Sequence, residues 1–313
     1  MSYLNSIIYK SQRRLFKSII TGKHAWQIFN DTGIEGFGTN LLRLYFPVYY
    51  DKKKVRDSFG EDVKKQFSII FDAAAEKYSF DEEIRSIAPR LLHLPLKEEN
   101  NTLPYLDNYF FGLLDATILG AMLQKFKPAK VIEIGSGISS RYIRYFKNSY
   151  SLSTELFCID PAPRADIGQV ADIIVKEPLE AVIDDWNFDL KSGDIVFMDG
   201  SHYTFQGNDT LTFFFKLLPL LPAGIVIHVH DVYLPFDYPE NVAPQLWTEQ
   251  YLLAAMLLAG FTGYEVIYPA YYASQTNDVI KQTLAEADAA LKKQVFKQRD
   301  KHTEGYSFWF RKL

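Results

Sequence analysis

Cysteine is nearly absent from the sequence: Cys158 is the single one among 313 residues, so no disulfide can form within the chain. Cys158 lies in a short apolar run of the kind that forms a buried strand. A lone thiol in such a run fits a reducing compartment. The sequence therefore predicts a cytoplasmic protein.

Long uninterrupted hydrophobic runs are also missing. The apolar stretch over residues 211–227 is broken by a lysine and two prolines, and the stretch over residues 251–261 is too short to span a membrane. Residues 1–20 place apolar side chains at helical spacing among basic ones, without the small-residue cleavage site of a secretory signal. Such a helix can lie on an anionic membrane surface or pack as an ordinary or dimer helix, and both alternatives stay open.

The sequence has no large excess of charge of either sign. Its 34 Lys and Arg residues and 38 Asp and Glu residues give a formal net charge of -4. Nucleic-acid binding depends on basic side chains that neutralise phosphates, so a nucleic-acid partner is disfavoured. With 48% hydrophobic residues, the chain can bury a large core and is expected to be globular.

Two regions differ in their patterns. Residues 1–103 are mainly helical in periodicity and contain no motif that carries chemistry, which predicts a lid or an oligomerisation element, the latter implying a homo-oligomer. A turn-rich stretch over residues 100–104 marks the boundary. Residues 104–313 then form the second predicted domain.

In this second domain, short β-branched runs alternate with helical segments. The pattern predicts an α/β fold with a doubly wound, Rossmann-like parallel sheet that is buried on both faces. Ligands of such sheets bind beyond the carboxyl ends of the strands, so the residues just after each strand are the candidates for function. The predicted strands are residues 131–134, 156–159, 172–175, 194–198 and 224–229.

The first of these strands ends in a glycine turn, Gly135-Ser136-Gly137, that opens a helix. Two glycines allow a tight turn and the close approach of a ligand. The dinucleotide fingerprint requires a third glycine where this chain has Ser140. Glu133 would repel a pyrophosphate but would attract the ammonium and sulfonium groups of S-adenosylmethionine (SAM). The charge therefore favours SAM over NAD.

Asp160 follows the second strand directly and precedes a proline. A carboxylate at this position can accept hydrogen bonds from both hydroxyls of a ribose. The alternative is a solvated turn aspartate before proline. Together with the glycine turn and Glu133, Asp160 is interpreted as the ribose ligand.

Carboxylates and imidazoles follow the next two strands. Asp199 and His202 come after the fourth strand, and His230 and Asp231 come after the fifth. Asp199, His230 and Asp231 together predict a divalent metal site, and His202 is left as a general base. The alternative is that the two aspartates cap helices and the histidines satisfy local hydrogen bonds. His228 lies deeper on its strand and is interpreted as a core or supporting residue.

At these residues the sequence resembles the class I SAM-dependent methyltransferases, over residues 105–313. The resemblance rests on Glu133 to Gly137, on Asp160 and on the Asp-Gly-Ser-His segment at 199–202. It implies a seven-stranded, mostly parallel sheet that closes with an antiparallel pair at 264–270 and 307–311, separated by a helical insertion over 277–302. The implied cofactor-binding residues are Glu133, Gly135, Ser136, Gly137, Asp160 and Asp199.

Metal-dependent O-methyltransferases of sugars and catechols, within the same family, carry ligands at the same strand tips and a base three residues after the first ligand. The resemblance thus implies the same roles for Asp199, Asp231 and His202. His230 departs from the family pattern, because a hard ion such as Mg²⁺ prefers oxygen ligands. The identity of the metal stays open at this point.

A hydroxyl is the expected methyl acceptor, because an alcohol needs a base or a metal to become nucleophilic and both are predicted here. Tyr233, Asp237, Tyr238 and Trp247 are the candidate ligands of a small-molecule or sugar acceptor, although a proline-stiffened lid would have a similar composition. Two alternatives remain: a non-methylating enzyme on the same fold, either hydroxylase-like or an NAD oxidoreductase, and a catalytically silent SAM-binding protein.

Overall fold

The computed structural model describes residues 34–37, 40–43, 57–108, 110–163, 167–292 and 304–313. The chain divides into two compact units, one of Met1–Arg56 with Tyr238–Leu246 and one of Asp57–Asp237 with Trp247–Leu313. In the first unit, β1 (Ile34–Phe37) and β2 (Asn40–Arg43) pair antiparallel. The amphipathic helix predicted over residues 1–20 lies outside the described residues.

A seven-stranded sheet forms the centre of the second unit, in the order β5-β4-β3-β6-β7-β9-β8. Strands β3 to β7 are parallel, and β9 runs antiparallel to both of its neighbours. The predicted fold is confirmed, including the closing antiparallel pair. The strands are β3 (Lys130–Ile134), β4 (Glu155–Ile159), β5 (Ile173–Val175), β6 (Ile195–Met198), β7 (Val226–Val229), β8 (Tyr264–Pro269) and β9 (Phe308–Lys312).

The helices cover both faces of this sheet. On one face lie α2, α3, α4 and α10, and on the other lie α1, the α6–α7 segment and α8. The helices are α1 (Glu61–Lys77), α2 (Asp81–Leu91), α3 (Leu113–Phe126), α4 (Ile138–Ser149), α5 (Leu179–Val182), α6 (Asp209–Thr212), α7 (Leu218–Leu220), α8 (Glu249–Leu258), α9 (Ala270–Thr276) and α10 (Asp278–Lys292), with a π-helical turn (Phe213–Leu217) between α6 and α7. Within the described part of the chain, no helix is long and apolar enough to cross a membrane.

The alternation of side chains along each strand fills two cores. Ile132 and Ile134 of β3 point into the core beneath α1 and α8, whereas Val131 points into the core beneath α3 and α4. Burying one large aliphatic side chain contributes about 1.5–3 kcal/mol. This burial on both faces is why the central strands are continuously apolar.

Helices α1 and α2 belong to the same compact unit as the sheet, although they precede residue 104. Phe71 of α1 is fully buried and contacts Phe308 of β9, with ring centroids 5.6 Å apart. The lid or oligomerisation role of residues 1–103 stays a prediction.

The chain changes direction across the sheet at β3, since β4 and β5 lie on one side of it and β6 and β7 on the other. A parallel sheet has its ligand-binding crevice at such a point, beyond the carboxyl ends of the strands. The predicted site residues follow β3, β4, β6 and β7, so the topology gathers them at this edge.

Candidate functional site

Gly135 makes the turn after β3 and is the glycine that the structure requires there. Its φ is +77°, and a Cβ at this position would lie 1.9 Å from the carbonyl oxygen of Asp199. Gly137 has extended backbone with φ 177°, and a Cβ there would meet no atom within 4 Å. The first glycine therefore lets β3 and β6 approach each other, and the second leaves open space in front of the turn.

Asp160 joins the tips of β3 and β4. Its Oδ2 accepts hydrogen bonds from the backbone N–H of Ser136 at 2.8 Å and from the Ser136 hydroxyl at 2.9 Å. Its Oδ1 accepts one from the backbone N–H of Ala162 at 2.8 Å. Each carboxylate oxygen can accept more than one hydrogen bond, so these contacts leave capacity for ribose hydroxyls.

Glu133 lies beneath the glycine turn and is fully buried. Its two oxygens accept hydrogen bonds from the hydroxyls of Ser139 and Ser140, both at 2.5 Å, at the start of α4. The Ser140 hydroxyl in turn accepts a bond from the N–H of Gly137 at 3.0 Å. Burial raises the pKa of Glu133 to about 7, although the hydroxyls oppose this rise. These contacts stabilise the turn, and a contact of Glu133 with SAM stays a prediction.

Asp199, His230 and Asp231 meet at the ends of β6 and β7, where one ligand atom of each lies within 4.8 Å of the others. Nδ1 of His230 is 3.8 Å from Oδ1 of Asp199 and 3.6 Å from Oδ2 of Asp231. Neither aspartate caps a following helix. Asn208 caps α6, the helix after Asp199, and its side chain accepts the N–H of Leu211 at 3.1 Å, whereas Val242 and Thr248 stand at the N-caps of the helical segments after Asp231. The three side chains are therefore directed at one another rather than at a helix end.

Asp115 of α3 lies behind His230. Its Oδ2 is 3.3 Å from Nε2 of His230, and its Oδ1 accepts the backbone N–H groups of Tyr306 and Ser307, both at 2.8 Å. Both Asp115 and His230 are buried. The contact orients the imidazole of His230 with its other nitrogen towards the aspartates.

His202 faces the same two aspartates from the loop after β6. Its Nε2 is 3.7 Å from Oδ1 of Asp199 and 3.5 Å from Oδ2 of Asp231. Its Nδ1 is 2.5 Å from Oε1 of Glu249, the first residue of α8, which is fully buried. The Trp247 ring lies 4.5 Å from the imidazole. His202 thus has one nitrogen on a buried carboxylate and the other at the cluster.

The carboxylates of the cluster raise the pKa of both imidazoles. Burial lowers the pKa of His202, but the carboxylates of Glu249, Asp231 and Asp199 outweigh it and raise that pKa above its usual range. For His230, burial likewise lowers the pKa, and Asp231 and Asp199 raise it well above the usual value. A positive charge placed beside the aspartates would offset this effect.

His228 differs from the other two histidines. It is fully buried, its Nε2 is 2.8 Å from the Ser307 hydroxyl, and its ring stacks on Phe197 at 3.7 Å. Burial lowers its pKa, with His230 acting in the same direction, so the imidazole is neutral. His228 is a core residue beside the site.

The four residues predicted to bind an acceptor have different surroundings. Trp247 lies against His202, as described above. Tyr233 is buried, and its ring packs 4.6 Å from that of Tyr306. Asp237 accepts hydrogen bonds from the Tyr251 hydroxyl at 2.5 Å and from the N–H of Ser58 at 2.7 Å, which ties its loop to α8 and to the segment before α1. Tyr238 belongs to the other compact unit.

Two residues of the site, Asp115 and Glu249, were missed by the sequence analysis. Asp115 carries a sequence signal, because it is the one acid in the otherwise apolar segment at residues 113–123. Glu249 carries none, because an acid in the first turn of a helix is common on electrostatic grounds alone.

Comparisons with known proteins give one family match and several similar solved structures. Residues 132–232, from β3 to just beyond β7, match a family model described as a methyltransferase domain. No curated protein matches the sequence. Among solved structures, the chain is similar to CmcI-N160 with SAH, at 13% identity over 64% of this chain and 77% of that chain, with a TM-score of 0.35. It is also similar to the plantazolicin methyltransferase BpumL in complex with SAH, at 16% identity over 80% of this chain and 98% of that chain, with a TM-score of 0.38.

Proposed function

Because this chain carries a class I SAM-dependent methyltransferase domain, we propose that it transfers the methyl group of SAM to a hydroxyl of a small molecule, sugar or glycoconjugate. The observation that carries the proposal is the convergence of Asp199, His230, Asp231 and His202 at the edge of the sheet where SAM and acceptor must meet. Enzymes that methylate oxygen need such groups, because a neutral alcohol is a weak nucleophile.

SAM is proposed to lie across the turn after β3, with its ribose on Asp160. The proposal is supported by the open space in front of Gly137 and by the unused acceptor capacity of Asp160. Ser136 and Asp199 flank this position. The methyl group would then face the ends of β6 and β7, where in-line displacement by the acceptor oxygen requires close alignment.

His202 is proposed to take the proton of the acceptor hydroxyl. The contact of its Nδ1 with Glu249 supports this role, because a buried carboxylate holds an imidazole in one orientation and stabilises it once it is protonated. Nε2 is the nitrogen left to face the acceptor. Trp247, Tyr233 and Asp237 are proposed to position that acceptor.

The donor set fits a divalent metal ion, since two carboxylates and an imidazole point at one another. Asp199, His230 and Asp231 would hold the ion. When bound, it would supply positive charge that lowers the pKa of the acceptor hydroxyl. The same charge would offset the aspartates beside His202, and this residue would then lose its proton more readily.

The test uses SAM labelled in its methyl group and a panel of glycosides, catechols and simple phenols. We expect label on an acceptor oxygen, as a methyl ether. His202→Ala should lower kcat by about 10² to 10⁴ while SAM affinity stays nearly unchanged, because the base acts in the chemical step. His93→Ala, at an exposed histidine, is the matched control.

Three outcomes would contradict parts of the proposal. Label on nitrogen or carbon would exclude O-methylation. A fully active His202→Ala variant would exclude the base. Full activity after treatment with a chelator would exclude the metal and leave the base in place.

A further inference from the structure

We infer that the metal site takes a first-row transition ion such as Mn²⁺, Co²⁺ or Zn²⁺ in preference to Mg²⁺. The reason is that Asp115 contacts Nε2 of His230 and leaves Nδ1 as the atom that binds the ion. The inference rests on the metal site of the proposed function. It concerns which class of ion these residues select, and it assigns Asp115 as the positioning residue.

The hydrogen bonds of Asp115 determine which nitrogen of His230 carries a proton. Oδ1 faces two backbone N–H groups, of Tyr306 and Ser307, which can only donate. Oδ2 is therefore left to accept from Nε2 of His230, 3.3 Å away. With Nε2 protonated, a neutral imidazole has its lone pair on Nδ1. This is how carboxylates orient metal-binding histidines in proteins.

Nδ1 of His230 is directed at the two aspartates. It is 3.8 Å from Oδ1 of Asp199 and 3.6 Å from Oδ2 of Asp231. Two neighbouring donors on an ion bonded at about 2.1 Å lie roughly 3 Å apart. A shift of less than about 1 Å would bring Nδ1 of His230 and each aspartate oxygen to this separation, and the ligand atoms of the two aspartates lie within 4.8 Å of each other.

The imidazole of His230 has little freedom to leave this position. The residue is 2% exposed, and its ring packs against Phe111, with centroids 5.2 Å apart and planes tilted by 30°. A Mg²⁺ ion prefers oxygen ligands, so it would have to coordinate the imidazole nitrogen or bind only the two carboxylates. Imidazole suits Zn²⁺, and at a site of mixed nitrogen and oxygen ligands the affinity for first-row ions rises from Mn²⁺ to Co²⁺ and beyond.

Metal affinities of the full-length protein, measured by calorimetry without SAM or acceptor, test the inference. Mn²⁺ and Zn²⁺ should bind at least tenfold more tightly than Mg²⁺. Since Zn²⁺ is favoured at many sites, the decisive measurement is the Zn²⁺/Mg²⁺ affinity ratio in His230→Gln. Glutamine can still donate to Asp115 but presents oxygen to the ion. The ratio should fall at least tenfold in this variant, with the affinity for Mg²⁺ changing less than about threefold.

Asp115→Asn tests the positioning role. The backbone N–H groups would donate to the oxygen of the new amide, so its NH₂ would face Nε2 of His230. The imidazole proton would then move to Nδ1, which points towards the ion. The affinity for Zn²⁺ should fall about 10- to 100-fold. With ¹⁵N-labelled histidine and Zn²⁺ bound, the wild-type spectrum should show protonated Nε2 and unprotonated Nδ1 for His230. Circular dichroism and SAM affinity report whether the variant folds.

The results separate this inference from the function on which it rests. Mg²⁺ affinity equal to that of Mn²⁺, or an unchanged ratio in His230→Gln, would overturn the inference and leave a metal-assisted methyltransferase intact. If no divalent ion binds, both the inference and the metal part of the proposed function are wrong. Selective Zn²⁺ binding without methyl transfer to oxygen would uphold the inference and count against the proposed acceptor.

Discussion

At the scale of single residues, the carboxylates of this site differ in what they contact. Asp160 can accept further hydrogen bonds beside the glycine turn. The oxygens of Glu133 accept hydrogen bonds from hydroxyls of α4, and Glu249 contacts His202. The same carboxylate group therefore lies at the proposed ribose site, stabilises a turn and contacts the proposed base. Each role predicts a different response to substitution.

Asp160→Ala should weaken SAM binding by about 1.5–3 kcal/mol, because it removes hydrogen bonds from a charged acceptor to two ribose hydroxyls. Calorimetric titration with SAM measures the change. Ser136→Ala is the matched control, since it removes only the hydroxyl that donates to Asp160 and keeps the backbone N–H. Its effect should be below about 1.5 kcal/mol. Equal SAM affinity in wild type and Asp160→Ala would show that the ribose lies elsewhere.

Compared with wild type, Glu133→Gln should have a higher free energy of unfolding at pH 8 than it has at pH 4.5. Burial raises the pKa of Glu133 from 4.5 to about 7, so the folded protein favours the neutral acid. The stability gained from this preference is complete below pH 4.5 and is lost as the pH rises through 7. Glutamine stays neutral throughout. The difference between variant and wild type in the free energy of unfolding should therefore shift by about 2–3 kcal/mol in favour of the variant.

Urea denaturation at the two pH values measures this shift in stability. The exposed Glu99→Gln is the control and should show no such shift. A difference between Glu133→Gln and wild type that is independent of pH would show that folding does not raise the pKa of Glu133.

Glu249→Gln should lower kcat by about 10² to 10⁴ with SAM affinity unchanged. The glutamine amide would donate to Nδ1 of His202, which moves the imidazole N–H to Nε2, where it cannot accept a proton from the acceptor. The methyl-transfer assay with saturating acceptor gives kcat. Glu249→Asp, which keeps the carboxylate, should recover part of the rate. A fully active Glu249→Gln enzyme would remove Glu249 from the proposed mechanism.

At the scale of elements, the turn between β3 and α4 depends on where each glycine lies. The Cβ of an alanine at 135 would collide with the backbone of Asp199 at the end of β6, and its φ of +77° would be strained. An alanine at 137 would meet no neighbouring atom. The first glycine of the motif therefore serves packing, and the second is proposed to serve ligand access.

Gly135→Ala should accordingly destabilise the protein by at least about 2 kcal/mol more than Gly137→Ala, because it combines backbone strain with a backbone collision. Gly137→Ala should lower SAM affinity without lowering the melting temperature. Thermal denaturation and SAM titration of both variants measure these effects. Equal melting temperatures for the two variants would contradict this division of roles.

At the scale of the whole molecule, one sheet with helices on both faces places the carboxyl ends of its five parallel strands, β3 to β7, at one edge. Residues 1–103 are still predicted to act as a lid or oligomerisation element. Deleting residues 1–20 should change the oligomeric state, seen by light scattering, or the acceptor affinity, and should change SAM affinity less. If all three stay the same, the predicted role of this segment is wrong.

The sequence by itself determined the fold and the composition of the strand ends. Apolar runs alternating with helical segments lead to a parallel sheet, and parallel strands have their carboxyl ends at one edge. This signal is local, because only the residue that follows each apolar run is needed to predict it. Asp160, Asp199, His202, His230 and Asp231 were all found in this way.

Only the tertiary structure decided how the two histidines are held. Asp115 is 115 residues from His230 in sequence, and Glu249 is 47 residues from His202. Each pair meets because a helix packs over the end of the sheet, and no local pattern specifies which helical turn will face which imidazole. The orientation of the imidazoles, and with it the inferred choice of metal, depends on these long-range contacts.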